Sequence, residues 1–390
     1  MPVESLVSGL SSPGSVSPRT LIVERGHTGH LLVFVRVLAE FASERGDEVF
    51  VALTPDAYRS REFRTHLDGI QGMVTFIHLG EAGRAGAINA LARAANATTV
   101  VIPHGDPYIA QFALAAYRKL NYRLVLLIMR DPRWEAPASP SRKAKNLFKL
   151  ALANGVGRRR GVRVVWLREP LHRPAGAEEV AIDPFIADGS WEEIQAEAAK
   201  VRMQLQSTSP SFWFGVVGAL SGRKNIPLIL NAIAEVASTT PRPDIGFAAI
   251  GPLSGDDGVT EAFLLDACAN AGVACWVDNR VLTNFEMNAA VSALDAVVMA
   301  YSSYSPNSTL GKAYVLGTRL VAAGPPSIRR FVRQIGVGWE SELSRPALAA
   351  SLTKAAAAVA PETHHNDISS VDFAAAVLGI VDDSQFAFRV

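Results

Sequence analysis

The stretch from Asp295 to Gly324 reads Asp-Ala-Val-Val-Met-Ala-Tyr-Ser-Ser-Tyr-Ser-Pro-Asn-Ser-Thr-Leu-Gly-Lys-Ala-Tyr-Val-Leu-Gly-Thr-Arg-Leu-Val-Ala-Ala-Gly. It predicts a short apolar strand, a Ser/Pro/Asn-rich loop, a helix that opens near Ser308 and Thr309, and a second strand after Gly317. A loop that leads into a helix collects unpaired backbone N–H groups at the positive end of the helix dipole. This arrangement suits a phosphate group.

A second stretch, 217–234, repeats the design upstream and reads Val-Gly-Ala-Leu-Ser-Gly-Arg-Lys-Asn-Ile-Pro-Leu-Ile-Leu-Asn-Ala-Ile-Ala. Arg223 and Lys224 stand directly before an apolar helix. Two cations at the positive end of a helix are unfavourable unless an anion binds there. The pair therefore predicts a diphosphate site.

Together the two stretches resemble the donor-nucleotide half of GT-B glycosyltransferases, in particular the large retaining family that includes sucrose synthase and the phosphatidylinositol mannosyltransferases. The resemblance covers most of residues 20–380 and implies an α/β protein with two Rossmann-like domains facing a central cleft. It implies sugar transfer from a nucleotide diphosphate sugar with retention, without metal or cofactor, since cations and helix N-termini would neutralise the leaving diphosphate. The donor-binding residues that it implies are Gly218, Arg223, Lys224, Gly251, Ser305, Asn307, Ser308, Thr309 and Lys312.

One feature departs from that family. Its two donor-site glutamates, eight positions apart, align with Tyr304 and Lys312, and neither side chain accepts hydrogen bonds as a carboxylate does. Lys312 is either a third positive charge beside the diphosphate or a solvated surface lysine. A different class of function therefore stays open, namely a non-catalytic GT-B scaffold or regulatory partner.

The order of elements along the chain predicts two α/β halves. Apolar strands alternate with helices from Arg19 onward, which is typical of parallel sheets covered on both faces. The expected divisions are a disordered tail at 1–17, an N-terminal acceptor domain at 18–185, a C-terminal nucleotide-sugar domain at 186–368, and a C-terminal helix within 369–390. In the resembled family the last helix packs back on the first domain.

His104-Gly-Asp106 follows a predicted strand at Thr99–Pro103. In the resembled family a histidine at this strand end contacts the donor sugar, so His104 and Asp106 are the candidate catalytic residues, with Asp106 also expected to cap the next helix. The same segment is similar to UDP-N-acetylglucosamine 2-epimerases, where Asp131 would be the only candidate for their second acid. That alternative is weaker, because the epimerase Ser-Gly-Gly and paired glutamates are missing from 305–312.

The turn between the first strand and the first helix contains His27, Gly29 and His30, the candidate acceptor-binding residues. Open α/β sheets bind ligands at the carboxyl ends of strands, and the resembled family has its acceptor loop here. A glycine turn with solvated imidazoles is the alternative.

The segment 141–168 carries nine basic residues and no acidic one. Its basic and apolar residues at near-helical spacing predict either an ordinary solvated face, a peripheral contact with an anionic membrane, or a site for an anionic or lipid-linked acceptor. The net charge of +1 argues against a nucleic-acid partner. Without a transmembrane segment or signal peptide, the expected location is the cytoplasm, including the inner membrane face. Cys268 and Cys275 read as reduced core residues.

Overall fold

The computed structural model describes residues 17–27, 31–80, 83–114, 120–129, 131–133, 139–168, 179–184, 189–206, 210–239, 244–255, 258–302, 308–336, 338–359 and 369–380. Within these ranges the chain forms two compact units. The first contains a seven-stranded sheet with its helices, and the second contains a six-stranded sheet with its helices.

The first unit is built on a seven-stranded sheet in the order β3-β2-β1-β4-β5-β6-β7. Its strands are β1 Arg19–Glu24, β2 Glu48–Leu53, β3 Thr75–His78, β4 Thr99–Ile102, β5 Arg123–Ile128, β6 Val162–Arg168 and β7 Val180–Ile182. Its helices are α1 Leu31–Glu44, α2 Pro55–Arg59, α3 Arg61–His66, α4 Ala85–Ala94, α5 Ile109–Leu114, α6 Pro140–Gly157 and α14 Ser370–Leu378. Every strand pair is parallel. The inner strands are apolar on both faces because helices cover both sides, and Leu21, Ile22 and Val23 are fully buried.

The helix α14 belongs to the first unit although it lies near the end of the chain. Its Phe373 ring stacks on Phe34 of α1 with ring centroids 4.9 Å apart. Ala374, Val377 and Leu378 join the same buried cluster. This apolar face closes one side of the first sheet.

The second unit has a six-stranded parallel sheet in the order β10-β9-β8-β11-β12-β13. Its strands are β8 Phe212–Val217, β9 Ile245–Ile250, β10 Ala274–Asp278, β11 Ala296–Ala300, β12 Arg319–Ala323 and β13 Trp339–Ser341. Its helices are α7 Trp191–Gln206, α8 Ile226–Thr239, α9 Glu261–Asn270, α10 Asn284–Ala293, α11 Ser308–Val315, α12 Pro326–Ile335 and α13 Arg345–Ala357. The chain order reverses between β8 and β11, so the carboxyl ends of these two strands border the crevice where such sheets bind ligands. Cys268 and Cys275 are free thiols, as expected.

Candidate functional site

In the second unit, the predicted cation pair lies on a short 3₁₀ turn, Gly222–Lys224, between β8 and α8. Lys224 is 3% exposed, and its Nζ donates to the carbonyl oxygen of Val217 at 2.6 Å. Arg223 is exposed, and its guanidinium carbon lies 5.6 Å from the centre of the Tyr301 ring. Adjacent cations in the sequence therefore have different environments, one inside the unit and one at its surface.

Burial has a direct electrostatic effect on Lys224. Desolvation and then the charge of Arg223 lower the pKa of its ammonium group to about 7. A buried ammonium is costly, and a nearby anion offsets that cost. This environment favours the approach of a negatively charged ligand.

Two glycines let the backbone pass close to this lysine. Gly218 and Gly251 have positive φ angles of 88° and 128°, which L side chains seldom adopt. A Cβ on Gly251 would lie 2.6 Å from the Gly218 carbonyl oxygen. A Cβ on Gly218 would lie 3.5 Å from Lys224 Nζ and 3.8 Å from Thr309 Oγ1. Gly218 and Lys224, both in the connection from β8 to α8, thus meet Thr309 of a segment distant in sequence.

The helix α11 begins at Ser308, as predicted from the sequence. Its first turn includes Thr309, which is 4% exposed. Because Thr309 is close to Gly218, the positive end of the helix dipole also lies near Gly218. Ser305 and Asn307 lie outside the described residues.

Lys312 is one helical turn beyond Ser308 and is 1% exposed. It is therefore not the solvated surface lysine that the sequence left open. Its ammonium group donates to the Oδ1 atom of Asn288, a fully buried residue of α10. The periodicity of α11 gave no sign of this partner, because Asn288 belongs to another helix.

In the first unit, His104 follows β4 and Asp106 opens a 3₁₀ turn, Asp106–Tyr108. The expectation that Asp106 caps the next helical segment is wrong for this turn, whose N-cap is Gly105 with no side-chain hydrogen bond. The Asp106 carboxylate instead accepts from the Met129 amide at 2.8 Å and from Lys149 Nζ at 2.5 Å. Asp106 thus links the residue after β5, which supplies the backbone donor, to α6, which supplies the cation.

The sequence did not predict the polar cluster beside His104. Glu24, the last residue of β1, is 1% exposed, and burial raises the pKa of its carboxyl group to about 7 despite nearby backbone amides. Tyr108 is 2% exposed, and within the described part of the chain its hydroxyl has no hydrogen-bond partner. One signal was available, namely an acidic residue that ends the otherwise apolar run Leu21–Val23.

The acceptor candidates are only partly described. His27 is half-buried in the turn that precedes α1. Gly29 and His30 lie outside the described residues, so their role in acceptor binding stays a prediction.

Asp131, the residue that an epimerase would need as its second acid, is 2% exposed and ion-paired. Arg133 and Arg168 both bind its carboxylate, the former at 2.7 Å. Burial alone would raise the pKa of Asp131, but hydrogen bonds from Arg133 and the charge of Arg168 lower it overall. A carboxylate held in this way is poorly suited to deliver a proton.

The described ranges contain neither a metal-binding cluster nor a membrane-spanning helix. No cluster of three or more His, Cys, Asp or Glu side chains has a metal-binding arrangement there. Among the same residues, no helix combines the length and apolar character needed to cross a membrane.

The fold is shared with solved glycosyltransferases. HepE from Anabaena, solved with UDP and glucose, is 15% identical with a TM-score of 0.60 over 93% of this chain and 94% of that chain. Sucrose-phosphate synthase from Thermosynechococcus elongatus is 12% identical with a TM-score of 0.58 over 93% and 94%. A putative UDP-N-acetylglucosamine 2-epimerase from Listeria monocytogenes is 12% identical with a TM-score of 0.52 over 92% and 94%.

These similarities define the class of fold, which is GT-B with two Rossmann-like units, as predicted. No protein-family model matches the chain. No curated protein matches it either. Because both transferases and an epimerase share the fold, the fold alone does not select the reaction.

Proposed function

We propose that this chain is a glycosyltransferase that moves a sugar from a nucleotide diphosphate sugar to an acceptor, with retention at the anomeric carbon. The observation that carries the proposal is the convergence of Lys224 Nζ, Gly218 and the start of α11 at the carboxyl end of β8. A diphosphate needs positive charge, backbone N–H groups and room for close approach, and this place offers all three.

The chemistry assigned to the donor residues is stabilisation of the leaving group. Lys224 and Arg223 neutralise charge that develops on the diphosphate as the glycosidic bond breaks, and the dipole of α11 adds to their effect. With those cations in place, the proposed reaction needs neither a metal ion nor a further cofactor. UDP, as bound in the HepE structure, is a reasonable first nucleotide to test.

In this proposal the first unit binds the acceptor. His27, Gly29 and His30 contact it, and His104 faces the donor sugar and relays a proton. Asp106 supports His104 by fixing the turn that carries it, through the Met129 amide.

The acceptor proposed here is lipid-linked or anionic. The helix α6 exposes 59% of Leu147 and 60% of Phe148, beside exposed Lys143 and Lys145. Exposed apolar side chains next to cations favour peripheral contact with an anionic bilayer. Flotation with phosphatidylglycerol vesicles tests this contact, and a Leu147→Ser, Phe148→Ser double variant should float less while neutral vesicles bind neither protein.

The transfer proposal is tested with the purified chain and a panel of nucleotide sugars. Thermal shift identifies the donor. Turnover is measured, with and without EDTA, as the nucleoside diphosphate released when the donor sugar is transferred to water. NMR of the released sugar gives the anomeric configuration, for which retention is expected. Lys224→Ala should lose the thermal shift, whereas Lys200→Ala, at a side chain 64% exposed in the same unit, should keep it.

The same panel separates the alternatives. A thermal shift without turnover on any sugar or acceptor supports a non-catalytic scaffold, which the replacement of both family glutamates by Tyr304 and Lys312 makes worth testing. Interconversion of the C2 epimers of a UDP-N-acetylhexosamine identifies an epimerase instead. No shift with any nucleotide sugar contradicts the proposal.

A further inference from the structure

Glu24 lies where two candidate functional turns of the first unit meet. It is the last residue of β1, and the parallel register Ile22 to Val101 places it level with Pro103, next to His104. Its Oε1 atom accepts a hydrogen bond from the Gly26 amide at 2.7 Å. The carboxylate therefore binds the turn that leads to the acceptor candidates.

The same carboxylate also interacts with the other turn. The backbone amides of Arg25 and His104 stabilise its negative charge. Its Oε2 atom is buried and has no hydrogen-bond partner within the described residues. A carboxylate with one unsatisfied buried oxygen is costly, so a side chain that only filled space here would be expected to be apolar.

The charged and titratable neighbours of Glu24 come from three directions. Arg25 follows it on the same turn, His104 is at the end of β4, and Tyr108 is on the next 3₁₀ turn. Gly83 packs between two of them, since its Cβ would lie 3.1 Å from both Tyr108 Oη and Arg25 Cδ. Burial raises the pKa of the Glu24 carboxyl to about 7, while the amides and Arg25 act in the opposite direction. The group therefore changes charge near neutral pH.

We propose that Glu24 is a positioning residue for His104, whose ionised carboxylate holds the turn after β1 and the backbone of His104 in the arrangement that transfer requires. Protonation of Glu24 weakens its interactions with the backbone amides of Gly26 and His104 and loosens that arrangement. The inference rests on the proposed function, in which His104 faces the donor sugar.

A structural test comes first and does not depend on activity. Protein labelled with ¹³C at glutamate side-chain carboxyls and ¹⁵N at histidine amides is titrated from pH 5 to 9 by NMR. Glu24→Gln and His104→Gln identify the two resonances. The His104 amide should show a step at the midpoint of the Glu24 carboxyl, and Glu24→Gln should remove that step while leaving any imidazole titration. A Glu24 midpoint below about pH 5, or no shared step, overturns the proposal.

A kinetic test follows in the same pH range. Wild-type kcat should fall on the acid side with the Glu24 midpoint, and Glu24→Gln should flatten this limb and lower kcat at pH 8 about tenfold or more, with donor KM changed less than twofold. Glu24→Asp should recover part of the loss, and Glu44→Gln, at an exposed site on α1, should match wild type. An unchanged pH profile in Glu24→Gln overturns the proposal. If the shared NMR step is present but wild type transfers no sugar, the positioning of His104 is supported and the proposed function fails.

Discussion

Lys224 and Val217 are joined by a 2.6 Å hydrogen bond from ammonium to backbone carbonyl, with only 3% of the lysine exposed. Burial and Arg223 lower the pKa of Lys224 from 10.5 to about 7. Because the unfolded chain then binds more protons than the folded one between these values, stability rises with pH across this window. Above pH 7, a ligand that restores the charge of Lys224 therefore binds together with the uptake of a proton from solution.

Binding of a nucleoside diphosphate at pH 8 should therefore take up about one proton. Calorimetry in buffers of different ionisation enthalpy measures the uptake as the slope of apparent enthalpy. Lys224→Ala should abolish it and weaken binding by about 1.5–3 kcal/mol, the range for hydrogen bonds to charged groups. Lys200→Ala should behave as wild type. Unchanged affinity in Lys224→Ala would exclude a donor role for this lysine.

Replacing Gly218 by Ala should impair both folding and binding. Its φ of 88° costs an L residue roughly 1–2 kcal/mol, and the new methyl group would lie 3.5 Å from Lys224 Nζ and 3.8 Å from Thr309 Oγ1. Gly272→Ala is the matched control, with φ of 65° and no atom within 4 Å of its added Cβ. Urea unfolding should show a similar loss of stability in both variants, whereas only Gly218→Ala should lose nucleotide affinity in calorimetry. Equal affinity in the two variants would argue against a ligand at Gly218.

The fold class and many of its elements followed from local sequence patterns. The strands β8, β9 and β11 are short apolar runs, the pattern that predicts buried strands alternating with helices. The start of α11 at Ser308 also agrees. Local patterns are enough for such elements because the periodicity of a strand or a helix depends on residues that are close in sequence.

Features that depend on distant partners were not predictable in the same way. The burial of Lys312 depends on Asn288 of α10, and that of Glu24 depends on β4, more than seventy residues later. The helices α2 and α3 and the strand β13 were missed because they are too short for a clear period. Asp106 binds Met129 and Lys149 rather than capping its turn, a choice made by the packing of β5 and α6.

Glu24→Gln should stabilise the protein at alkaline pH. The pKa of Glu24 rises from 4.5 to about 7 on folding, so the folded protein binds this proton more tightly than the unfolded chain does. The resulting stabilisation is complete below pH 4.5 and is lost as the pH rises through 7. Glutamine keeps an oxygen for the Gly26 amide and carries no charge. The free energy of unfolding at pH 8 should thus increase by up to about 3 kcal/mol, at 1.36 kcal/mol per pKa unit. Urea denaturation at pH 5 and 8 measures the change, and Glu44→Gln should show no such pH-dependent gain.

His104→Ala should lower turnover while leaving nucleoside diphosphate affinity nearly intact, because the proposed contact is with the sugar and not with the diphosphate. Turnover is measured as transfer or donor hydrolysis, and affinity by calorimetry. His78→Ala, at an exposed residue ending β3, serves as the control. A parallel fall in turnover and affinity, or a fall in neither, would contradict the assignment.

Lys312→Glu decides between a working donor contact and a pocket that has lost its activity. If Lys312 binds phosphate, a carboxylate there should repel the diphosphate and lower both affinity and transfer. If the pocket has decayed, introducing the glutamate that the resembled family has at the aligned position should leave transfer absent or raise it, since a carboxylate accepts hydrogen bonds from ribose hydroxyls.

The burial of Lys312 makes a second variant necessary in that experiment. Lys312 is 1% exposed and donates to Asn288 Oδ1, so a replacement without a donor loses a buried hydrogen bond at a cost of about 1–3 kcal/mol. Lys312→Met removes the charge at similar length without adding a negative one. Thermal unfolding of both variants separates loss of folding from loss of binding. Lower transfer in Lys312→Met, and lower still in Lys312→Glu, is the result expected of a donor contact, whereas a clear gain in Lys312→Glu would refute it.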